Sequence, residues 1–141
     1  MFIRTHAKSL KKAKQKLKEL TSRSQGRNVR KVMENTKVFT RGWLGYFGIA
    51  SMRNAMKELD EWLRRRFRMY IWKQWKVPKA RAANLEKLGV LLRQARKWSY
   101  VKGYWRIAGS PILTTTITSK RLAQAGYYSI LGRYESLHLY G

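Results

Sequence analysis

The chain has 141 residues, of which 32 are lysine or arginine and only seven are acidic, so its formal net charge is +25 at pH 7. A charge of this size disfavours a compact monomer unless a polyanion neutralises it, and it therefore indicates a nucleic-acid-binding protein. Hydrophobic residues make up 44% of the chain and include six Trp, which excludes a purely disordered basic tail, and the lack of cysteine excludes a disulfide framework and cysteine–zinc fingers.

The first two predicted helices are amphipathic. Residues 3–20 place apolar residues at helical spacing with six lysines around them, which predicts a helix with a lysine-covered outer surface. A membrane-surface helix is the alternative, but its apolar stripe would favour Trp or Phe, and this stripe has neither. After a loop over 21–28, residues 29–48 predict a second helix with an aromatic stripe. Glycines at every third position near its end indicate either a close helix crossing or a fraying end.

The next two predicted helices lie between Ser51 and Gly103. A third helix begins after Ser51 as its N-cap and runs to about Lys76, where Pro78 stops it. Leucines at helical spacing predict a fourth helix over residues 80–98, before Gly103 breaks the pattern.

The C-terminal part of the chain has a weaker pattern. Residues 112–118 are rich in β-branched side chains, which predicts a short strand or an extended connector. Two short helices are predicted over 122–125, ending at Gly126, and over 128–137. Together these elements predict an all-α fold, a small helical bundle of about four longer helices followed by short C-terminal helices.

Residues 62–76 of the third predicted helix interleave cations with tryptophans. Guanidinium groups match phosphate oxygens bidentately, and Trp and Arg side chains stack on unpaired bases. We interpret the arginines as phosphate contacts, with a solvated helix face as the alternative. Trp62 and Trp72 are interpreted as core residues in preference to stacking platforms.

Two further segments combine aromatic with basic residues. Residues 41–47 are interpreted as helix packing, with Arg41 able to reach RNA from the edge. Residues 102–106 lie at a helix break, where contact with nucleic acid and a hydrophobic plug are equally open interpretations. The candidate RNA-binding residues are Lys11, Lys12, Lys16, Arg23, Arg27, Arg41, Arg64, Arg65, Arg66, Arg68, Lys73, Lys102, Tyr104 and Arg106.

The acidic residues and the histidines form no recognisable catalytic or metal site. Asp60, the only aspartate, lies with Glu58 and Glu61 in the first turns of the third helix. The helix dipole and the i,i+4 partners Arg64 and Arg65 account for these acids. The other four acids are scattered singly, and the two histidines lie far apart in sequence. We therefore predict no catalytic residue, no metal and no cofactor for this chain.

The sequence contains no candidate membrane-spanning or secretion segment. Its longest uncharged stretch, residues 107–119, is too short to span a bilayer and is interrupted by Pro111. The first residues lack the apolar core of a signal peptide. We therefore expect a cytoplasmic protein without a membrane partner.

Two ordered motifs resemble the maturase-specific region of group II intron-encoded proteins. Residues 41–47 read Arg-Gly-Trp-Leu-Gly-Tyr-Phe, similar to the family's RGW-x-x-YF element. Residues 59–66 read Leu-Asp-Glu-Trp-Leu-Arg-Arg-Arg, similar to the L-D-x-W-x-RRR element that follows it at similar spacing. Residues 85–89, 102–106 and 126–131 resemble the continuation in bacterial members, so the resemblance extends over nearly the whole chain.

The resemblance implies a function in RNA splicing. Members of this family join a reverse transcriptase to a helical thumb, or maturase, domain that binds group II intron RNA and stabilises the fold in which the intron splices itself. The implied partners are therefore the intron RNA, a reverse transcriptase domain in cis and, through a further basic region, target DNA. The residues that map onto the maturase element are Arg41, Trp43, Tyr46, Trp62 and Arg64–Arg66.

The resemblance also suggests a division of the chain and a limit to its activity. We expect a maturase-specific domain over 1–78 and a C-terminal basic helical region, contacting DNA or RNA, over 79–141. The chain has no Tyr-x-Asp-Asp polymerase element and no His/Cys-rich endonuclease segment, so neither activity is assigned to it. The alternative function is that of a general nucleic-acid-binding basic domain, ribosomal-like or DNA-binding.

Overall fold

Nine α-helices and no strand make up the part of the chain that the computed structural model describes, residues 4–22, 28–47 and 53–140. The all-α prediction is therefore confirmed. The helices are α1 (Arg4–Leu20), α2 (Val29–Phe47), α3 (Arg53–Gln74), α4 (Pro78–Lys87), α5 (Leu92–Ser99), α6 (Tyr104–Ala108), α7 (Pro111–Thr114), α8 (Ser119–Ala125) and α9 (Ile130–Tyr140).

Helix α3 lies at the centre of the fold. The helices α1, α2, α6 and α9 all pack on it, so it receives partners from both ends of the chain. Its residues 67–70 are buried in succession, which a helix allows only where it is covered on more than one face. Phe67 and Trp72 are fully buried, so the prediction that Trp72 is a core residue is confirmed.

The prediction of one long fourth helix is wrong, because the chain turns at Gly89 and forms the two packed helices α4 and α5. Gly89 has φ +103°, a left-handed conformation that glycine adopts without a steric penalty. The amide of Val90 donates to the carbonyl oxygen of Leu85 at 3.0 Å, and the Gly89 amide donates to that of Glu86 at 3.0 Å. This is the Schellman pattern of a helix C-terminus, in which the glycine ends the helix.

Pro78 begins a helix as well as following one. Helix α3 ends at Gln74, and the chain turns through Lys76, whose φ is +54°. Pro78 is then the first residue of α4, a position where its missing N–H costs no hydrogen bond.

The predicted strand or extended connector over 112–118 is also wrong. Residues 111–114 form the short helix α7, with Pro111 as its first residue. Threonine hydroxyls donate back to helix carbonyls, from Thr115 to Pro111 at 2.6 Å and from Thr116 to Ile112 at 2.6 Å. Because the described part of the chain offers no neighbouring strand, these local hydrogen bonds decide the conformation against the β propensity of the side chains.

The two short C-terminal helices are confirmed as α8 and α9. Gly126 ends α8 with φ +119°, and the side chain of Thr118 caps its start by accepting from the Arg121 amide at 3.2 Å. Of the other expected signals, the N-cap Ser51 and Gly48 lie outside the described residues. Gly42 is exposed and a Cβ there would meet nothing within 4 Å, so no close helix crossing exists at this glycine.

Candidate nucleic-acid interface

Exposed lysines cover α1 in two rows on either side of its outward-facing surface. Lys8, Lys12 and Lys16 follow one another at four-residue spacing, and we call them the outer lysine row. A second row faces towards α3, and we call it the groove lysine row. It consists of Lys11, Lys14 and Lys18, all exposed.

The groove lysine row borders a cavity of about 520 Å³ between α1, α3 and α6, which we call the α1–α3 groove. Two tryptophans, Trp62 from α3 and Trp105 from α6, supply its aromatic surface. The lining residues are Lys11, Lys14, Gln15, Lys18, Trp62, Arg66, Met69 and Trp105. Four of these eight carry positive charge and none is a carboxylate, so the groove suits an anionic ligand.

The two tryptophans of the groove are packed against cations. The Lys14 ammonium lies 5.0 Å from the centre of the Trp62 ring, and the Arg66 guanidinium lies 5.9 Å from it. The Arg65 guanidinium lies 4.1 Å from the centre of the Trp105 ring. Trp62 was predicted to be a core residue, but it is only half-buried, with one side against the core and the other in the groove.

Arg66 joins α3 to the end of α1. Its guanidinium donates to the carbonyl oxygen of Lys18 at 3.0 Å and to the hydroxyl and carbonyl oxygens of Thr21 at 3.0 and 3.2 Å. Carbonyls at a helix C-terminus lack partners within the helix and carry partial negative charge, so a guanidinium there is stabilising. Burial lowers the pKa of Arg66 from its usual value.

Arg65 binds α6 in a similar way. Its Nε and Nη2 atoms donate to the carbonyl oxygen of Trp105 at 2.9 and 2.7 Å while its guanidinium stacks on the same residue's ring. Gly109 leaves room for this arrangement, because a Cβ there would lie 2.6 Å from the Arg65 Cζ atom.

Arg64 belongs to a buried network around Asp60. The Asp60 carboxylate, 1% exposed, accepts from Arg64 Nη2 at 2.9 Å, from the Ser129 hydroxyl at 3.0 Å and from the Ile130 amide at 3.1 Å. The Tyr127 hydroxyl also donates to it. Since Ile130 is the first residue of α9, the carboxylate fixes the start of that helix on α3. The i,i+4 pairing of Asp60 with Arg64 is confirmed, but the other three donors come from residues remote in sequence.

Burial and charge shift the pKa of Tyr127 in this network and that of Arg68 on the same helix as Asp60. Burial, together with the neighbouring Asp60 carboxylate, raises the pKa of Tyr127 well above its usual value of 10.0. Arg68 is 8% exposed and donates from Nε to the Ile117 carbonyl oxygen at 2.7 Å. Burial, and to a smaller extent the positive charge of Arg64, lower the pKa of Arg68.

The four candidate arginines of α3 therefore bind the chain itself. They reach four different places: the end of α1, the backbone of α6, the Asp60 carboxylate and the backbone at Ile117. The sequence suggested phosphate contacts or a solvated face for them, and this third role was missed because its acceptors lie far along the chain. Their contact with RNA stays a prediction. The four are Arg64, Arg65, Arg66 and Arg68.

The segment 102–106 divides between surface and packing. Lys102 and Arg106 are exposed, and Trp105 is 37% exposed at the groove. Tyr104 is half-buried, with the Lys73 ammonium 4.7 Å and the Arg81 guanidinium 5.3 Å from its ring centre.

Arg81 is a further internal cation that the sequence did not single out. It is buried, donates from Nε to the Trp72 carbonyl oxygen at 3.1 Å and lies 5.0 Å from the Trp72 ring centre. It thus ties the start of α4 to the end of α3, beside Tyr104.

The remaining candidates differ in position. Lys11 lines the groove, whereas Lys12 and Lys16 belong to the outer lysine row and Arg41 is exposed on α2. Arg23 and Arg27 lie outside the described residues. The groove residues Lys14, Lys18 and Trp105 were not among the candidates predicted from the sequence. Lys14 and Lys18 could have been predicted, because their spacing from Lys11 places all three lysines on one side of α1.

The described residues contain neither a cluster of metal-ligating side chains nor a membrane-spanning helix. No group of three or more His, Cys, Asp or Glu side chains is placed to hold a metal ion within residues 4–22, 28–47 and 53–140. None of the helices in these ranges is long and apolar enough to cross a membrane.

Comparison with known proteins identifies the family. A comparison with curated proteins found no match. Residues 10–89, more than half of the chain, match the family model described as the group II intron maturase-specific domain. The match runs from within α1 to Gly89, just after the end of α4 and past the predicted boundary at residue 78. The division into two domains stays a prediction. The chain belongs to the group II intron maturase-specific domain family.

Proposed function

We propose that this chain binds folded group II intron RNA and thereby stabilises the fold in which the intron splices. The observation that carries the proposal is the groove lysine row beside two tryptophans, in a groove whose lining has no carboxylate, in a member of a maturase-specific family. Neutralising phosphates with these lysines releases counterions, which is the main source of affinity for nucleic acids.

The proposed contact surface consists of both faces of the lysine-covered helix α1. The groove lysine row and the outer lysine row together present six ammonium groups on one helix. Ammonium groups remain strongly hydrated when they are exposed and act as point charges towards phosphate. Arg41, Lys102 and Arg106 are also exposed, so they are further cations available to RNA outside α1.

The proposed role is binding, with the chemistry performed by the RNA. The chain acts in this proposal with a reverse transcriptase domain in cis, in the bacterial cytoplasm, and it contributes no catalytic residue. Its arginines on α3 serve mainly to hold α1, α6 and the backbone at Ile117 in place, which positions the lysines for the RNA.

The test is a comparison of RNA ligands across salt. We expect tighter binding to a folded group II intron RNA than to a shuffled RNA of the same length and composition, with affinity falling steeply as salt rises. Equal affinity for both RNAs would contradict the maturase function. Tighter binding to duplex DNA than to the intron would favour a general DNA-binding domain instead.

A further inference from the structure

We infer that the α1–α3 groove is a subsite for one unpaired nucleotide, with its base against Trp62 and Trp105 and its phosphate on the groove lysine row. The inference deepens the proposed function and rests on it. It names the structural class of RNA that the groove selects, which is a single-stranded segment in preference to a duplex.

The charge of the groove distinguishes it from two other cavities lined by described residues. A cavity of about 440 Å³ between α4 and α5 includes Glu86 among its lining residues. A smaller one of about 300 Å³, which shares Lys11, Lys14 and Trp62 with the groove, includes Glu58. The α1–α3 groove has no acidic residue among its lining, while four of its residues are cationic. Of these three cavities in the described part of the chain, the α1–α3 groove alone combines an aromatic surface with a purely positive border.

The aromatic surface of the groove favours an unpaired base over a phosphate alone. Trp62 and Trp105 come from different helices and both contribute to its lining, with Trp105 still 37% exposed. The flat face of an unpaired base can stack on an indole, whereas the faces of paired bases are covered within a duplex. The volume of about 520 Å³ lies within the range of cavities that hold small molecules.

The groove is held open by the arginines of α3. Arg66 fixes the last carbonyls of α1 and Arg65 fixes the backbone of Trp105, so both walls are attached to the same helix. A site whose walls are fixed before binding loses less conformational entropy when the ligand arrives. These two arginines therefore act as positioning residues for the subsite.

The first test changes the aromatic surface in the full chain. We would measure Kd for a fluorescein-labelled single-stranded RNA and for an RNA hairpin with the same number of phosphates. Trp105→Ala should raise Kd for the single strand about 5- to 150-fold, the factor expected when one base can no longer stack on an indole. The hairpin should change less than about twofold, since its phosphates are still neutralised. Tyr100→Ala is the control, because Tyr100 is 73% exposed but lies outside the groove.

The second test changes the charge of the groove, and it still tests the subsite if Trp105→Ala does not fold. Lys11→Gln/Lys14→Gln/Lys18→Gln removes the groove lysine row, and the matched variant with Gln at positions 8, 12 and 16 removes the same charge from the outer row. For the single strand, the groove variant should lower the slope of log K against log salt by about 0.7 for each phosphate that is no longer neutralised. The outer variant should lower it less. Trp62→Phe, which keeps an aromatic ring at the groove, should weaken binding less than Trp105→Ala.

The outcomes separate this inference from the proposed function. Equal decreases in affinity for the single strand and the hairpin, or equal slopes for the two lysine variants, would overturn the nucleotide subsite. If the intron RNA still binds tightly in that case, the proposed function survives. If the unaltered chain binds neither intron RNA nor single strand at low salt, both fail together.

Discussion

Lysines on α1 and arginines on α3 carry the same charge at similar density, yet they differ in exposure and in their hydrogen-bond partners. The α1 lysines are exposed, whereas the α3 arginines donate to carbonyl and carboxylate oxygens of the chain. A guanidinium is planar, weakly hydrated and supplied with five N–H donors, so it can be half-buried and still satisfied. An ammonium keeps its hydration and stays at the surface. Local charge density alone therefore does not identify a nucleic-acid contact.

The largest expected effect on stability comes from removing the carboxylate that Arg64 binds. Asp60→Ala leaves Arg64 without its ion-pair partner and removes the acceptor at the start of α9, so we expect unfolding free energy to fall by about 3–5 kcal/mol. Urea denaturation followed by circular dichroism measures it. The neighbouring Glu61→Ala is the control, since Glu61 is exposed and should change stability by less than about 0.5 kcal/mol. Similar small decreases in both variants would show that the network does not hold the fold.

The next test asks whether Arg68 acts inside the protein. Arg68→Met keeps an apolar stem but leaves the Ile117 carbonyl without this donor, and we expect a decrease of about 1.5–3 kcal/mol in unfolding free energy. Lys12→Met, on the exposed outer lysine row, should change stability by less than about 0.5 kcal/mol and weaken RNA binding instead. If Arg68→Met leaves stability unchanged and weakens RNA binding, Arg68 acts on RNA and not inside the protein.

The pH dependence of stability gives a third test of the same network. Tyr127 has a raised pKa in the folded chain, so above about pH 10 the unfolded chain releases its proton while the folded chain retains it. The contribution of Tyr127 is thus present below pH 10 and is lost as pH rises, by at most about 1.4 kcal/mol per pH unit. Tyr127→Phe should remove this part of the decline between pH 9 and pH 11. An unchanged slope in the variant would show that Tyr127 ionises equally in both states.

The smallest expected effect comes from Gly109. Gly109→Ala places a Cβ against the flexible end of Arg65, which can move aside, so we expect the free energy of unfolding to fall by less than about 1 kcal/mol. Gly42→Ala is the control; it meets open space within a helix and should stabilise the chain by about 0.5–1 kcal/mol. A decrease larger than that of Asp60→Ala would mean that the Arg65 contact, and not the Asp60 network, is the main tertiary tie of α3.

Several features of this protein follow from the amino-acid sequence by itself. Amphipathic spacing in the helices α1, α2 and α3, and Gly126 at the end of α8, act over one or two helical turns. The presence of these helices and the end of α8 were therefore predictable. The ordered motifs at 41–47 and 59–66 likewise indicated the family that the match over 10–89 shows. The net charge of +25 needs only the composition.

Other features were decided by contacts between residues far apart in the chain. Arg66 meets Thr21 across 45 positions, Arg65 meets Trp105 across 40, and Asp60 meets Ile130 across 70. No local pattern contains those acceptors, so the sequence could not tell a bound arginine from a free one. Helical spacing separates the lysines of α1 into two rows, but only the packing of α3 and α6 shows which row borders a groove. Charge and helicity are thus local properties, whereas the availability of each cation for RNA is set by tertiary packing.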